Sequence, residues 1–180
     1  RRLFLLEVAA ACPWPACVAT GHHRDDQAET VLMRLLRGTG PEGLRGIRPV
    51  SGAFVHPLLG WDRGAIVAFL ESQGQPWRLD VTNLDGDNLR ARLRREVVPV
   101  LREVFGDGCL DGPARLAGLL EEDLALLDDL AQQSLASVSD GRTLGVTALL
   151  ALPPALAGRV LRLWMDAPAR LEAVHVAMIL

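Results

Sequence analysis

Apolar positions change their period several times along the chain, and each change marks an element. Residues 2 to 11 repeat with helical spacing and stop at the loop Cys12-Pro13-Trp14-Pro15. Ala16 to Thr20 is a short apolar run between turn formers, the pattern of a buried, parallel strand. From Gln27 to Arg37, the residues Ala28, Val31, Leu32, Leu35 and Leu36 fall on one helical face, and Gly38-Thr39-Gly40-Pro41 ends it. Leu44 to Pro49 reads as a loop and Phe54-Val55 as a short strand. Asp62 starts another helix, running to about Leu70 and closed by Gly74. Trp77-Arg78-Leu79 reads as extended. Helix, strand, helix, strand, helix, strand is the order of an α/β unit with parallel strands and crossover helices.

The second half is helical throughout. Asn88 to Leu101 is helix-prone and Arg-rich, with a break at Pro99. Pro113 to Ser137 predicts one long amphipathic helix with a stripe of Leu116, Leu119, Leu120, Leu124, Leu127 and Leu130. Leu156 to Trp164 and Leu171 to Leu180 predict two more. The boundary falls near Gly106-Asp107-Gly108, so an α/β domain over 1–105 precedes a small all-helical domain over 106–180. The opening Arg1-Arg2-Leu3-Phe4 lacks a methionine and reads as the interior of a helix in a longer protein.

Composition narrows the chemistry. The chain is 49% hydrophobic and 23% charged, which suits a packed soluble domain. No apolar run reaches the ~20 residues of a membrane helix, so no membrane partner is expected. All 19 basic residues are arginine. That excludes a Schiff-base lysine and a Walker-type G-K-[ST] within this sequence. The net charge of −3 means that any nucleic-acid contact must come from local patches. The three cysteines, Cys12, Cys17 and Cys109, form neither a C-x-x-C pair nor a disulfide framework, which points to a reducing cytoplasm.

The densest polar stretch is GHHRDDQAET, Gly21 to Thr30. It sits at a strand-to-helix junction, where ligands bind in open α/β sheets and where helix N–H groups favour anions. A capping box accounts for part of it, with Asp26 accepting from the Glu29 N–H and Glu29 reaching back. Capping leaves Asp25 and His23 unexplained. In extended backbone His22 and His23 face opposite ways, which disfavours a shared metal, and no metal ligand is assigned. A base, phosphate or carboxylate suits them better. Arg37 in the last turn complements the helix dipole, and the following loop carries Arg45 and Arg48, placed for phosphates. Asp80, after the extended piece, is suited to an amine or a ribose. Arg90, Arg92, Arg94 and Arg95 form either a solvated face paired with Asp85, Asp87, Glu96 and Glu103, or an RNA-backbone patch.

Taken together, GHHRDDQAETVLMRLLRGTGPEGLRGI resembles the second signature of the tRNA(Ile)-lysidine synthases, PP-loop ATPases of the N-type ATP pyrophosphatase superfamily. H-x-D-D-Q-x-E-T is shared with tRNA-thiolation relatives, whereas RLLRGTGPEGLRG is particular to the lysidine synthases. The segment HPLLGWDRGAIVAFLESQGQPWRLDVTNLDGDNLRARLRREVVPVL resembles the family's next block, and GRVLRLWM…LEAVHVAMIL its helical linker. His56 stands where arginine is usual, Thr82 replaces serine, Asn88 an aromatic, and Ala91 the asparagine of R-N. The S-G-G-x-D-S loop that grips pyrophosphate is expected upstream of Arg1.

The resemblance implies a Rossmann-like parallel-sheet PP-loop ATPase domain, incomplete at its N-terminus, followed by the helical domain. It implies a ligase that uses ATP and Mg²⁺ to adenylate C2–O of the wobble cytidine in a CAU-anticodon tRNA(Ile). Free L-lysine then displaces AMP. On this footing Asp25, Asp26, Glu29 and Asp80 are the catalytic candidates. His22, His23 and Arg37 are the ATP-binding candidates, and Arg45, Arg90 and Arg94 the RNA-binding ones. The piece by itself is expected to be inactive. A homodimer stays open, because an amphipathic face does not name its partner. The rival readings are a PP-loop tRNA 2-thiolation enzyme, which would want a cysteine pair, and a non-catalytic helical RNA- or protein-binding fragment.

Overall fold

The computed structural model of the chain describes residues 2–78 and 88–165. The expectations at Leu79, Asp80, Thr82, Asp85, Asp87 and Leu171 to Leu180 lie outside the described residues. The chain forms two compact units, Arg1–Leu120 and Glu121–Leu180. The division between these units falls inside the long helix.

In the first unit, helix α1 (Arg2–Ala10) leads to strand β1 (Val18–Ala19), helix α2 (Arg24–Leu36) and the short helix α3 (Pro41–Leu44). Strands β2 (Val50–Ser51) and β3 (Phe54–Val55) precede helix α4 (Arg63–Ser72). The sheet order is β1-β3-β2. β1 and β3 are parallel, with Val18 opposite Phe54 and Ala19 opposite Val55. β2 and β3 are antiparallel, with Ser51 opposite Phe54. The sheet is therefore mixed, not all parallel. The antiparallel strand arises because Gly52 adopts φ +58°, a left-handed conformation that turns the chain back within two residues. The Arg2 guanidinium lies 4.3 Å from the Phe54 ring centre.

Helices α5 (Leu89–Arg92) and α6 (Val98–Phe105) flank a π turn, Leu93–Val97. Pro99 does not break the helix as expected. It sits in the first turn of α6, where its missing N–H costs nothing. The wide turn ahead of it closes by a bond from the Val98 N–H to the Leu93 carbonyl, five residues back. A 3₁₀ turn, Asp107–Leu110, enters the 28-residue helix α7 (Asp111–Val138). Ala28 of α2 packs with Leu93, Val98 and Leu110 to form the core of the first unit.

The buried positions of α7 are Ala117, Leu124, Ala131 and Val138, one every seven residues. Leu116, Leu119 and Leu130 of the expected stripe are exposed instead. Two of the buried positions are alanines, which admit close approach but carry little weight in a leucine-based pattern. In α2, Ala28 and Val31 are buried as the periodicity predicts, while Leu35 and Leu36 are exposed. The second unit closes with helices α8 (Val146–Leu150) and α9 (Pro154–Trp164). Ala131, Val138, Leu149, Ala157, Val160 and Leu161 make its core.

Candidate active site at the carboxyl edge of the sheet

Because β1 and β3 are parallel, the segments that follow them emerge at the same edge. His22 follows β1 and His56 follows β3, and their ring centres lie 5.1 Å apart. His22 Nδ1 is 2.9 Å from the Thr20 hydroxyl, and His56 Nδ1 donates to the Arg48 carbonyl at 2.7 Å. Burial pushes the His22 imidazole below its ordinary pKa, and His56, Arg90 and His23 push the same way against Asp26.

α2 begins three residues earlier than the apolar period suggests. His23 is its N-cap, and Asp26 is the acidic member of the capping box. The His23 N–H donates to Asp26 Oδ2 at 3.1 Å, and His23 Nε2 lies 3.4 Å from the same oxygen. The expected box of Asp26 with Glu29 is thus displaced by one turn. Glu29 is freed from capping and points into the protein, with its side chain 3% exposed.

Both buried carboxylates meet arginines from the helix after residue 88. Arg94 Nε donates to Glu29 Oε1. Arg94 Nη2 donates to Glu29 Oε2 at 2.9 Å and to Asp26 Oδ1 at 2.7 Å. The hydrogen bond to Glu29 raises the Arg94 pKa, against the opposing effect of burial. Arg90 Nη2 donates to the Thr30 hydroxyl at 2.6 Å, and Arg90 Nε is 3.5 Å from Glu29 Oε2. The Thr30 hydroxyl in turn donates to the Asp26 backbone carbonyl at 2.7 Å. Of the two readings of the arginine cluster, only Arg92 and Arg95 follow the solvated one, both pairing with exposed Glu96.

Asp25 is half-buried and lines a separate open cleft of about 720 Å³ with Arg24, Asp62, Arg63, Arg102 and Asp111. Arg24, in the same lining, lies 2.9 Å from Asp62 and 3.3 Å from Asp111. Arg37 caps the far end of α2 and is exposed. Thirteen helical residues place it about 20 Å from the histidines, so the structure does not bring His22, His23 and Arg37 together. Arg45 pairs with Glu42 at 2.9 Å, and its side chain is only 11% exposed.

Gln27 and Arg34 carry a function that the sequence reading missed. The Gln27 amide donates to the carbonyls of Arg45 and Ile47, at 3.3 and 3.0 Å, and accepts from the Ile47 N–H at 2.6 Å. Arg34 Nη1 donates to the carbonyls of Gly43 and Gly46 at 2.9 and 3.0 Å. Together they pin the glycine-rich segment after α2 onto that helix. The signal was present: two long polar side chains seven residues apart share the face that precedes a glycine-rich loop. Among the described residues, no group of three acidic, histidine or cysteine side chains is placed to hold a metal. No helix among them is long and apolar enough to cross a membrane. Cys12, Cys17 and Cys109 are free thiols.

Comparison with known proteins gives the class of protein to which these elements belong. Residues 4–101 match the PP-loop domain family, and the chain belongs to it. Its relatives are more particular still. The chain is 44% identical over 159 residues to the tRNA(Ile)-lysidine synthase of Symbiobacterium thermophilum, which covers 81% of this chain and 33% of that protein. Identity to the enzyme of the same name from Mycolicibacterium paratuberculosis is 43%, covering 82% of this chain and 46% of the relative. For the Thermobifida fusca enzyme it is 40%, covering 89% and 50%. The chain thus spans between a third and a half of the length of these curated relatives.

Proposed function

We propose that this chain is part of a tRNA(Ile)-lysidine synthase, a ligase that joins free L-lysine to the wobble cytidine of a CAU-anticodon tRNA(Ile). The observation that carries the reading is 44% identity to a protein of that name across 81% of the chain. The stretch that matches the PP-loop domain family, residues 4–101, contains the acid motif whose side chains the fold gathers at the edge of the β1–β3 pair. That pair, with α2 and α4 leaving its carboxyl ends, supports a Rossmann-like sheet of the PP-loop type.

The chemistry asks for three things. The C2 carbonyl oxygen of cytidine is a poor leaving group, so it takes AMP from ATP and releases pyrophosphate. The ε-amine of lysine, with an ordinary pKa near ~10.4, must reach C2 neutral. It then attacks C2, the C2–O bond breaks, and AMP departs with the oxygen. Buried Asp26 and Glu29 offer their remaining lone pairs to the lysine ammonium; a carboxylate takes one proton before the neutral amine attacks, and the amine's next proton leaves as the C–N bond is completed. Asp25, with no ion pair among the described residues, is the third acid of the motif, and Asp80 is assigned the same class of role from its position in the sequence. His22 and His23, at the N-terminal end of α2, are placed for the nucleotide. Exposed Arg37 suits RNA phosphate rather than ATP, and Arg45 lies on the adjoining turn.

Mg²⁺ prefers oxygen ligands in an octahedron, and the oxygens of Asp26 and Glu29 are already engaged by Arg94 and His23. The residues present therefore fit an ion that arrives on the nucleotide phosphates, whose charge it neutralises, rather than one held in a protein cage.

The test is direct. The full-length protein that carries this chain, tRNA(Ile) with a CAU anticodon, ATP and lysine are incubated, and the nucleosides are read by mass spectrometry. A lysine-sized mass gain on cytidine that needs both ATP and lysine is the expected result. A gain equal to the exchange of one oxygen for sulfur would instead favour thiolation, and no gain would remove the ligase reading.

A further inference from the structure

We infer that Arg94 is a positioning residue, holding the Asp26 and Glu29 carboxylates in one fixed arrangement toward the cationic substrate, and not a contact to RNA. The inference rests on the proposed function only in naming lysine as that substrate.

Asp26 and Glu29 lie one turn apart on α2, with side chains only 12% and 3% exposed. Two buried carboxylates at that spacing repel each other and pay for lost solvation unless a cation sits between them. Arg94 is that cation. Its Nε and Nη2 grip both oxygens of Glu29 in the fork geometry that only guanidinium offers, while Nη2 also reaches Asp26. An RNA phosphate would have to take these donors from two buried acids.

The backbone explains how an arginine from a helix 65 residues away is aimed so well. The π turn at Leu93–Val97 widens the helix at this point. It lets Leu93 enter the core beside Ala28 while its neighbour Arg94 reaches the polar side of α2. Arg90, one turn earlier, ties the same two helices through Thr30. The arginine pair therefore fixes both where the acids point and how α2 sits against the following helix.

The test compares Arg94→Lys and Arg94→Gln with the wild-type protein. Lysine keeps the charge but not the fork, so Arg94→Lys guards against a variant that simply fails to fold. The expected result is a rise in the KM for lysine of about tenfold or more. The slope of log affinity for tRNA against log salt should not change. Loss of a phosphate contact would lower that slope by about 0.9. A lowered slope, or a lysine KM within about twofold of wild type in both variants, overturns the inference. If the wild-type protein forms no lysidine, the proposed function fails, and Arg94 is read by NMR instead. Slow solvent exchange of its Nε–H that becomes fast in Glu29→Gln supports the positioning role, and fast exchange in the wild type overturns it.

Discussion

His22 shows how much one side chain's surroundings decide. Its pKa is lowered from 6.5, first by burial and then by His56, Arg90 and His23. The unfolded chain therefore takes up a proton at a pH where the folded ring is still neutral. The stability from neutral His22 is fully present above the unfolded value and is lost as the pH falls below 6.5 towards the lower folded value. Thermal melts from about pH 7.5 down to about 5.5 should show a falling melting temperature. His22→Gln, which keeps a polar partner for Thr20, should flatten that fall. An equally steep fall in the variant would clear His22 of the effect. Gly46 is constrained twice over. It adopts φ +66°, and a Cβ there would collide with the Gln27 side-chain amide. Gly46→Ala should cost roughly 1–3 kcal/mol by urea denaturation, whereas alanine at Gly21, where a Cβ meets nothing within 4 Å, should cost far less.

At the scale of elements, α2 is the organising piece. Its N-terminal turn holds the acids, its apolar face meets Leu93 and Leu110, and Gln27 and Arg34 hold the segment that follows it. Gln27→Leu would leave the Ile47 N–H without its acceptor and two carbonyls without their donor. The expected loss is about 1–3 kcal/mol, with hydrogen exchange at Ile47 quickened while α4 stays protected. Unchanged exchange at Ile47 would mean the clamp is not what orders the segment. Much of this level was legible in the sequence. α1, β1, α2, β3, α4 and α7 announce themselves through period and caps such as Asp62, which accepts the Ala65 N–H. β2 was not legible, because two residues carry no period and only Gly52 signals the hairpin. α3 was hidden by the same glycines and proline that end α2. The π turn is not legible either, since the sequence shows that Pro99 cannot donate but not how the chain absorbs it. The site divides along the same line. The motif placed Asp26 and Glu29 at the right junction, but no local pattern could tell that Arg94 turns inward to meet them. That is a property of two helices packed together, not of either alone.

At the scale of the whole chain, the two units have separate cores. Ala28, Leu93, Val98 and Leu110 serve the first, and Ala131, Val138, Leu149, Ala157, Val160 and Leu161 the second, with no residue in common. The candidate site draws every described side chain from the first unit. Cooperativity follows shared burial, so damage confined to one core should leave the other's transition largely in place. Val160 is fully buried in α9, and Val160→Ala removes two methyl groups there at a cost of roughly 2 kcal/mol. In a unit of this size that corresponds to a fall of about 15 °C in its melting temperature. Calorimetry should then resolve two transitions, with only one displaced, while the slowly exchanging Arg94 Nε–H persists through the lower of them. α7 is the one element that runs through both units, and it provides the counter-argument. If the helix couples them rigidly, Val160→Ala will shift a single transition and the Arg94 signal will vanish with it. That result would show that the site depends on the helical unit for its stability, although none of its described residues comes from there.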